Sequence, residues 1–317
     1  MAGSPLEVIV IGAGVSGLTT AVCLAEEGAR VLVRTAEPPR RTTSAVAAAM
    51  CGPNFAAPDD PALRWGQIAE REFLALGENP RSGVRVGRGR LVSNWGDALP
   101  PWAPSVPGFA PCSPQELPPG FRMGFWVELP TADMPRYLDY LAGRLVAAGG
   151  RIEQRPVRSL AEAAAEAPVV VNCTGTAARE LAGDPEVRAV KGQHVIVENP
   201  GLDTFMYEGG GGSAWTGFFP HRDRVVLGGV AIEDDWDLTP DPMVTEEIRA
   251  RCIAAEPRLA HARVIGVDVG LRPTRPAVRL EEELVGGSRC IHNYGHGGVG
   301  VTLSWGCARD VVAIATA

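Results

Sequence analysis

The chain has no cluster of lysine or arginine, and its 30 basic residues are outnumbered by 37 acidic ones, giving a formal charge of −7. A nucleic-acid-binding surface needs the opposite balance, so no nucleic-acid partner is expected. No stretch approaches the ~20 consecutive apolar residues that cross a bilayer, so no membrane role is expected. The N-terminus runs straight into a strand-like segment, with no charged leader or cleavage site. The seven cysteines, at 23, 51, 112, 173, 252, 290 and 307, are odd in number and never spaced as CxxC. They point to a reducing compartment and to small core residues, not to a disulfide framework. The five histidines show no ligand spacing, so no metal is expected. Internal repeats and flexible linkers are also absent. What remains is a cytoplasmic globular protein, 45% hydrophobic and 21% charged. Its 317 residues are enough for two interlocked domains around a large core.

Glycine is the residue in abundance, and its placement is informative. "LEVIVI" (6–11) is an unbroken apolar run, as in a strand buried on both faces. "GAGVSG" follows, then the helical "LTTAVCLAEEG" stopping at Gly28, then the second strand "ARVLVRT". Gly12, Gly14 and Gly17 have the dinucleotide-binding spacing: a tight turn, close approach of backbone to a pyrophosphate, and close packing of helix on strand. Ala13, Val15 and Ser16 line the same turn, where free N–H groups and the helix dipole favour phosphate. Glu37, twenty residues after Gly17, is placed to accept hydrogen bonds from a ribose. The motif alone does not separate FAD from NAD.

Further along, 39–54 is a Thr-, Ala- and Pro-rich connection, a helix is predicted over 61–77, and 80–135 reads as irregular strands and loops. Residues 134–149 form an amphipathic helix pattern, 161–167 favours helix, and "PVVVNCTG" (168–175) is another buried strand ending in a glycine turn. Strands dominate 187–233, interrupted by "EGGGGSAWTGFFP" (208–220), and a helix is expected near 242–255. "RVIGVDVGLRPTRP" and "SRCIHNYG" read as strands, and a glycine-led helix ends the chain.

The segment "IHNYGHGGVGVTLSWGCA" (291–308) resembles the signature of the D-amino acid oxidase family of FAD enzymes, of the bacterial type. His292, Tyr294, Gly295, Gly297, Gly298, Gly300, Gly306 and Ala308 fall in register. "TTSAVAAAM" (42–50) resembles the family's flavin-wrapping loop, and "VNCTG" (171–175) its later nucleotide turn. "VVLGGV" (225–230) and "GLRPTRP" (270–276) resemble its substrate-domain core and substrate-arginine segment. The resemblance spans nearly the whole chain. It implies an α/β fold: a discontinuous Rossmann-type FAD-binding domain (1–57, 133–186, 266–317) with an inserted, mostly antiparallel β substrate domain (58–132, 187–265). Besides the opening turn and Glu37, it implies cofactor contacts from Thr42, Thr43, Ser44, Val157, Cys173, Thr174, Gly175, Gly297, Gly300, Val301 and Thr302. The residues agree. Glycines 297, 298 and 300 let a backbone lie flat against an isoalloxazine ring, and the helix start behind them can stabilise negative charge growing at the flavin edge.

The implied reaction is oxidation of a D-amino acid by hydride transfer from Cα to flavin N5, giving a 2-oxo acid, ammonia and, from O2, hydrogen peroxide. Of Arg272, Arg275 and Arg279, the family position of the carboxylate-binding arginine is Arg272; the other two read as surface charges or partners of Glu281 or Glu282. The backbone carbonyl of Gly298 is the implied acceptor for the substrate amine, and no dedicated base is expected. Gly217 falls where the family has a tyrosine that donates to the substrate carboxylate. Of the four tyrosines, 137, 140, 207 and 294, only Tyr207 could reach back; Trp215 could supply an N–H or an apolar wall, or both residues simply pack a strand of the lid. Met50, Gly52, Asn54 and Phe219 complete the pocket candidates. Gly52 and Gly217 together are expected to enlarge the cavity and admit a bulky or unusual substrate. A D-aspartate preference would need a second cation, from His194, His221, Arg222 or Arg224, but "HRDR" reads more simply as a solvated turn. The alternatives are a related flavin amine oxidase, glycine-oxidase-like or acting on secondary amines, and a flavoprotein that has lost turnover. A homodimer is also compatible.

Overall fold

Val8 to Ile11 are all buried, as a continuous apolar run requires of a strand covered on both faces. This is β1 (Glu7–Ile11), followed by α1 (Val15–Glu26) and β2 (Arg30–Thr35). The computed structural model describes residues 6–52, 57, 59–94, 96–209 and 212–317. The pocket candidate Asn54 lies outside these residues. The chain continues through α2 (Pro61–Gly77), β3 (Val84–Ser93), β4 (Ala110–Pro111), β5 (Met123–Ala132), α3 (Met134–Ala147), β6 (Arg151–Gln154), α4 (Leu160–Ala164), β7 (Val169–Asn172) and α5 (Ala178–Leu181). It closes with β8 (Arg188–Glu198), β9 (Phe205–Glu208), β10 (Ala214–Pro220), β11 (Arg224–Val230), β12 (Ile232–Glu233), α6 (Pro242–Ala255), β13 (Val264–Val285), β14 (Ser288–His296) and α7 (Gly300–Ala315).

One sheet runs through the molecule in the order β4-β5-β3-β9-β10-β11-β8-β13-β14-β7-β1-β2-β6, with β12 pairing to β8 off this path. The β14-β7-β1-β2-β6 end is parallel. Helices α1, α2, α3 and α7 bury Leu18, Val22, Phe73, Leu138 and Trp305 against one of its faces, and α4 covers the other with Leu160, Ala163 and Ala164. The other end is mostly antiparallel, apart from the parallel β3–β9 pair. There α6 packs Ile248 and Cys252 on Val195, Val197, Val225 and Leu227. The opposite face of this half carries Phe205, Phe219, Val226 and Ile196, and it faces the 42–50 segment through Ala48 and Met50.

Three elements depart from the sequence expectation. The Pro- and Gly-rich 80–135 region holds a regular ten-pair antiparallel ladder between β3 and β5. β9 was not foreseen, because four residues carry too little periodicity to register. β13 is 22 residues long and runs on through Arg279–Val285, where alternation of charged residues hides a strand, to a hairpin at Gly286 and Gly287. Its first part pairs with β8 as far as Thr274↔Arg188, and its second part pairs with β14 from Thr274↔His296 onward.

Candidate active site

Gly12 has φ +106°, and a Cβ there would stand 2.4 Å from the carbonyl oxygen of Cys173. A Cβ at Gly17 would stand 2.0 Å from the carbonyl oxygen of Gly12. These contacts make both glycines steric requirements of the β1–α1 turn. The Val15 N–H, first in the helix, donates to Ser44 Oγ at 2.9 Å, so the 42–47 segment folds back across the helix start. Between these parts lies a cavity of about 680 Å³. It brings together Gly12, Ala13, Gly14, Val15, Ser16, Glu37, Thr42, Thr43, Ser44, Val157, Cys173, Thr174, Gly175, Gly297, Gly300 and Val301. Thr302 is not among its lining residues, and Glu37 is exposed at its edge. The site fits a dinucleotide on its own geometry: a volume in the range of cofactor sites, a helix N-terminus at one end, and glycine backbone where a bound group must approach closely.

Arg272 and Gly298 line the same cavity. The Arg272 guanidinium lies over Gly192: a Cβ added there would meet Nη1 at 2.6 Å. A Cβ on Gly298 would meet Arg272 Cδ at 3.6 Å. Arg272 Nη1 donates to the Val230 carbonyl at 3.1 Å, and among the described residues no carboxylate pairs with it. Burial lowers its pKa, and the nearby Tyr207 phenol works against that. The other two arginines are consumed structurally. Arg275 Nε binds Asp184 at 2.9 Å and its Nη2 binds Glu186 at 2.5 Å. Arg279 binds Glu281 at 2.6 Å, as expected, and also Glu283 at 3.1 Å.

The hydrogen bonds of the 291–308 segment hold its glycines in place. Tyr294 donates to Asp184 at 2.8 Å and accepts from Arg279 at 2.8 Å. His292 Nδ1 accepts from the Asn172 amide at 3.2 Å and its Nε2 donates to Glu283 at 2.9 Å, which fixes the tautomer. Asn172 Oδ1 in turn accepts from the N–H and hydroxyl of Thr174, shaping the turn to Gly175.

The pocket candidates gather elsewhere than expected. Met50, Gly52, Tyr207, Trp215, Gly217 and Phe219 do not line the cavity. Gly217 leaves no gap, because a Cβ there would stand 2.8 Å from Trp215 Cζ3. At Gly52 a Cβ would rest at ordinary packing distance from Met50 Cε, 3.5 Å, and Leu129 Cδ1, 3.6 Å, so a side-chain carbon would fit there. The gap expected at Gly217 is therefore corrected: the Trp215 ring already fills that place. The hairpin "HRDR" is not simply solvated. His221 is 9% exposed, and Arg224 binds Asp133 at 2.7 Å. That pairing leaves Arg224 unavailable as a cation for an acidic side chain.

Sequence reasoning missed Gly192 and Gly270 as cavity residues, and Asn293 and His296 beside them; His194, named only as a possible cation for an acidic substrate, also lines the cavity. Gly192 and Gly270 are opposite each other in the β8–β13 ladder, and glycine inside an otherwise apolar strand was the available signal. The histidines carry no such mark. His194 Nδ1 donates to the Val46 carbonyl at 2.9 Å, which leaves Nε2 bare, and that atom is buried without a partner. Burial and the Arg272 cation lower its pKa to about 4, so it is neutral near pH 7.

Residues 7–314 match the family described as FAD dependent oxidoreductase, DAO. The chain is 50% identical over 311 residues to a D-amino-acid oxidase of Rubrobacter xylanophilus, covering 98% of this chain and 95% of that protein. It is 46% identical to a D-amino-acid oxidase of Streptomyces coelicolor, over 98% of this chain and 97% of the other. Among solved structures, glycine oxidase from Geobacillus kaustophilus superposes with a TM-score of 0.80 at 19% identity, over 98% of this chain and 94% of the other, a likeness of fold alone. With the dinucleotide turn, the arginine and the glycine-led helix meeting in one cavity, the chain belongs to the DAO family of FAD-dependent oxidoreductases.

Proposed function

We propose that this chain is an oxidase of D-amino acids. The observation that carries the reading is Arg272, a partly buried guanidinium with no carboxylate partner among the described residues, set on the wall of the cofactor cavity. A cation so placed is matched by a ligand carboxylate, which its planar fork grips through paired hydrogen bonds. The residues that would hold FAD are those of the β1–α1 turn, the Thr42–Ser44 segment, the Cys173–Gly175 turn and the Gly297–Val301 helix start. Bound FAD supplies the hydride acceptor and, on reoxidation by O2, the route to hydrogen peroxide.

The chain's own part is positioning. Arg272 anchors the carboxylate, and the Gly298 carbonyl accepts from the substrate amine. The backbone start of α7 presents positive dipole to developing negative charge. Among the described residues no ionised base faces Arg272, and its neighbour His194 is neutral. The rate then rests on geometry and electrostatics rather than on side-chain proton abstraction. Substrate, O2 and water give a 2-oxo acid, ammonia and hydrogen peroxide. The name shared by the two relatives supports the D configuration.

A cytoplasmic location belongs to the same reading, supported by free cysteines at all seven positions. No helix among the described residues is long and apolar enough to cross a membrane. A homodimer is the oligomer to check, by light scattering. The deciding experiment is anaerobic mixing of the yellow protein with paired D- and L-amino acids. Bleaching of the flavin band by D-isomers alone is the expected result; bleaching by L-isomers alone, or by none, overturns the proposal.

A further inference from the structure

The face of β10 and β11 that looks toward Arg272 is stripped of side chains at Gly217 and Gly228, which are directly opposite each other in the ladder. Gly229 follows. The Trp215 indole lies on all three. A Cβ added at Gly228 would stand 2.1 Å from its Cη2, at Gly229 2.7 Å from its Cζ2, and at Gly217 2.8 Å from its Cζ3. No side chain but glycine leaves room for the ring in this position, so the strands are shaped for it.

The indole also stands between two neighbours of Arg272. On one side its ring meets His194 edge to face at a centroid separation of 5.8 Å, and His194 lines the cofactor cavity. On the other it meets Tyr207 at 5.3 Å, and the Tyr207 phenol and the Arg272 guanidinium each perturb the other's ionisation. Arg272 itself is tied to the carbonyl of Val230, the residue after Gly229. The indole thus packs on His194 and Tyr207, the two side chains whose charge behaviour Arg272 affects, although it does not itself line the cofactor cavity.

Resting on the oxidase reading, we infer that Trp215 is the size-selecting residue of this site, and that the substrates it admits are D-amino acids with compact side chains. The indole occupies the volume that a bulky side chain would need. The bare glycines beneath it become a ready-made aromatic slot once it is removed.

The test compares wild type with Trp215→Ala and Trp215→Phe as FAD-loaded protein. Values of kcat/KM are measured for D-alanine, D-leucine and D-phenylalanine. In parallel, propionate and 3-phenylpropionate are titrated against the flavin spectrum, which reads binding without turnover. Wild type is expected to favour the small member of each set by about tenfold or more, the scale on which an apolar pocket discriminates size. Trp215→Ala is expected to shift both ratios toward the large member by at least that factor, with Trp215→Phe between them. Unchanged ratios in both variants overturn the inference. So does a wild type that already prefers the large members. If no D-amino acid bleaches the flavin of wild type, the oxidase reading fails, and the propionate and 3-phenylpropionate ratio still decides whether Trp215 selects by size. If the alanine variant loses its flavin or its fold, the phenylalanine variant carries the same decision.

Discussion

Arg272 holds its place through the Val230 carbonyl and the bare backbone of Gly192, not through a carboxylate. On the proposed function, removing its guanidinium would take away the anchor for the substrate carboxylate and leave the cofactor walls intact. Two charged hydrogen bonds are worth about 3–6 kcal/mol together, so Arg272→Leu is expected to lower kcat/KM by roughly two to four decades, mostly through KM. The flavin spectrum of that variant should stay as in wild type; loss of bound FAD would instead mark Arg272 as a cofactor residue. Gly217 yields a second prediction at this scale. Gly217→Tyr drives a Cβ to within 2.8 Å of the Trp215 ring, so the variant should be destabilised by about 1–3 kcal/mol, the usual cost of overpacking. Combining it with Trp215→Ala should recover most of the lost melting temperature, and a double-mutant cycle reads that coupling directly.

At the scale of elements, the β1–α1–β2 unit was legible because everything that defines it is local. The apolar run, the three glycines and the helix lie within a few residues of one another, and each glycine answers a contact that a side chain would break. Gly17→Ala places its Cβ 2.0 Å from the Gly12 carbonyl oxygen, so the purified protein is expected to carry little or no flavin, read from the ratio of 450 to 280 nm absorbance. Ser44→Ala removes the acceptor for the first helical N–H and should cost about 1 kcal/mol, a typical loss for a helix cap. What could not be read was non-local. β9 is a strand only because β3 and β10 flank it. The place of Trp215 depends on Gly228 and Gly229 from the next strand, so Gly217 read alone looked like an opening. Arg272 was singled out by motif, but that it has no carboxylate partner among the described residues, while Arg275 and Arg279 have several, depends on Asp184, Glu186 and Glu283, which only the folded chain brings near.

For the whole molecule, the burial of histidine sets the response to acid. His194 and His296 are held at a pKa of about 4 by loss of solvent, and burial lowers His221 as well. An unfolded histidine titrates near 6.5, so between about pH 6.5 and 4 the unfolded chain binds protons that the folded chain refuses. Stability is therefore present in full above about pH 6.5 and falls as the pH drops through that window. Asp184 and Glu283, whose carboxyls are held below their usual range, extend the loss to lower pH. Melting temperatures taken from pH 8 down to pH 5 should be flat at first and then decline; a melting temperature that rises on acidification would contradict this burial.

The 22-residue strand β13 has a mechanical consequence. It is laced to β8 along one stretch and to β14 along the next, and Arg272 sits two residues before the handover at Thr274. Arg272 and Gly270, both in the wall of the cavity, are thus mounted on one continuous beam. The two ends of the sheet cannot swing apart like jaws without tearing its ladder of hydrogen bonds. The place of Arg272 in the cavity wall is thereby tied to the same two ladders that join the halves of the sheet.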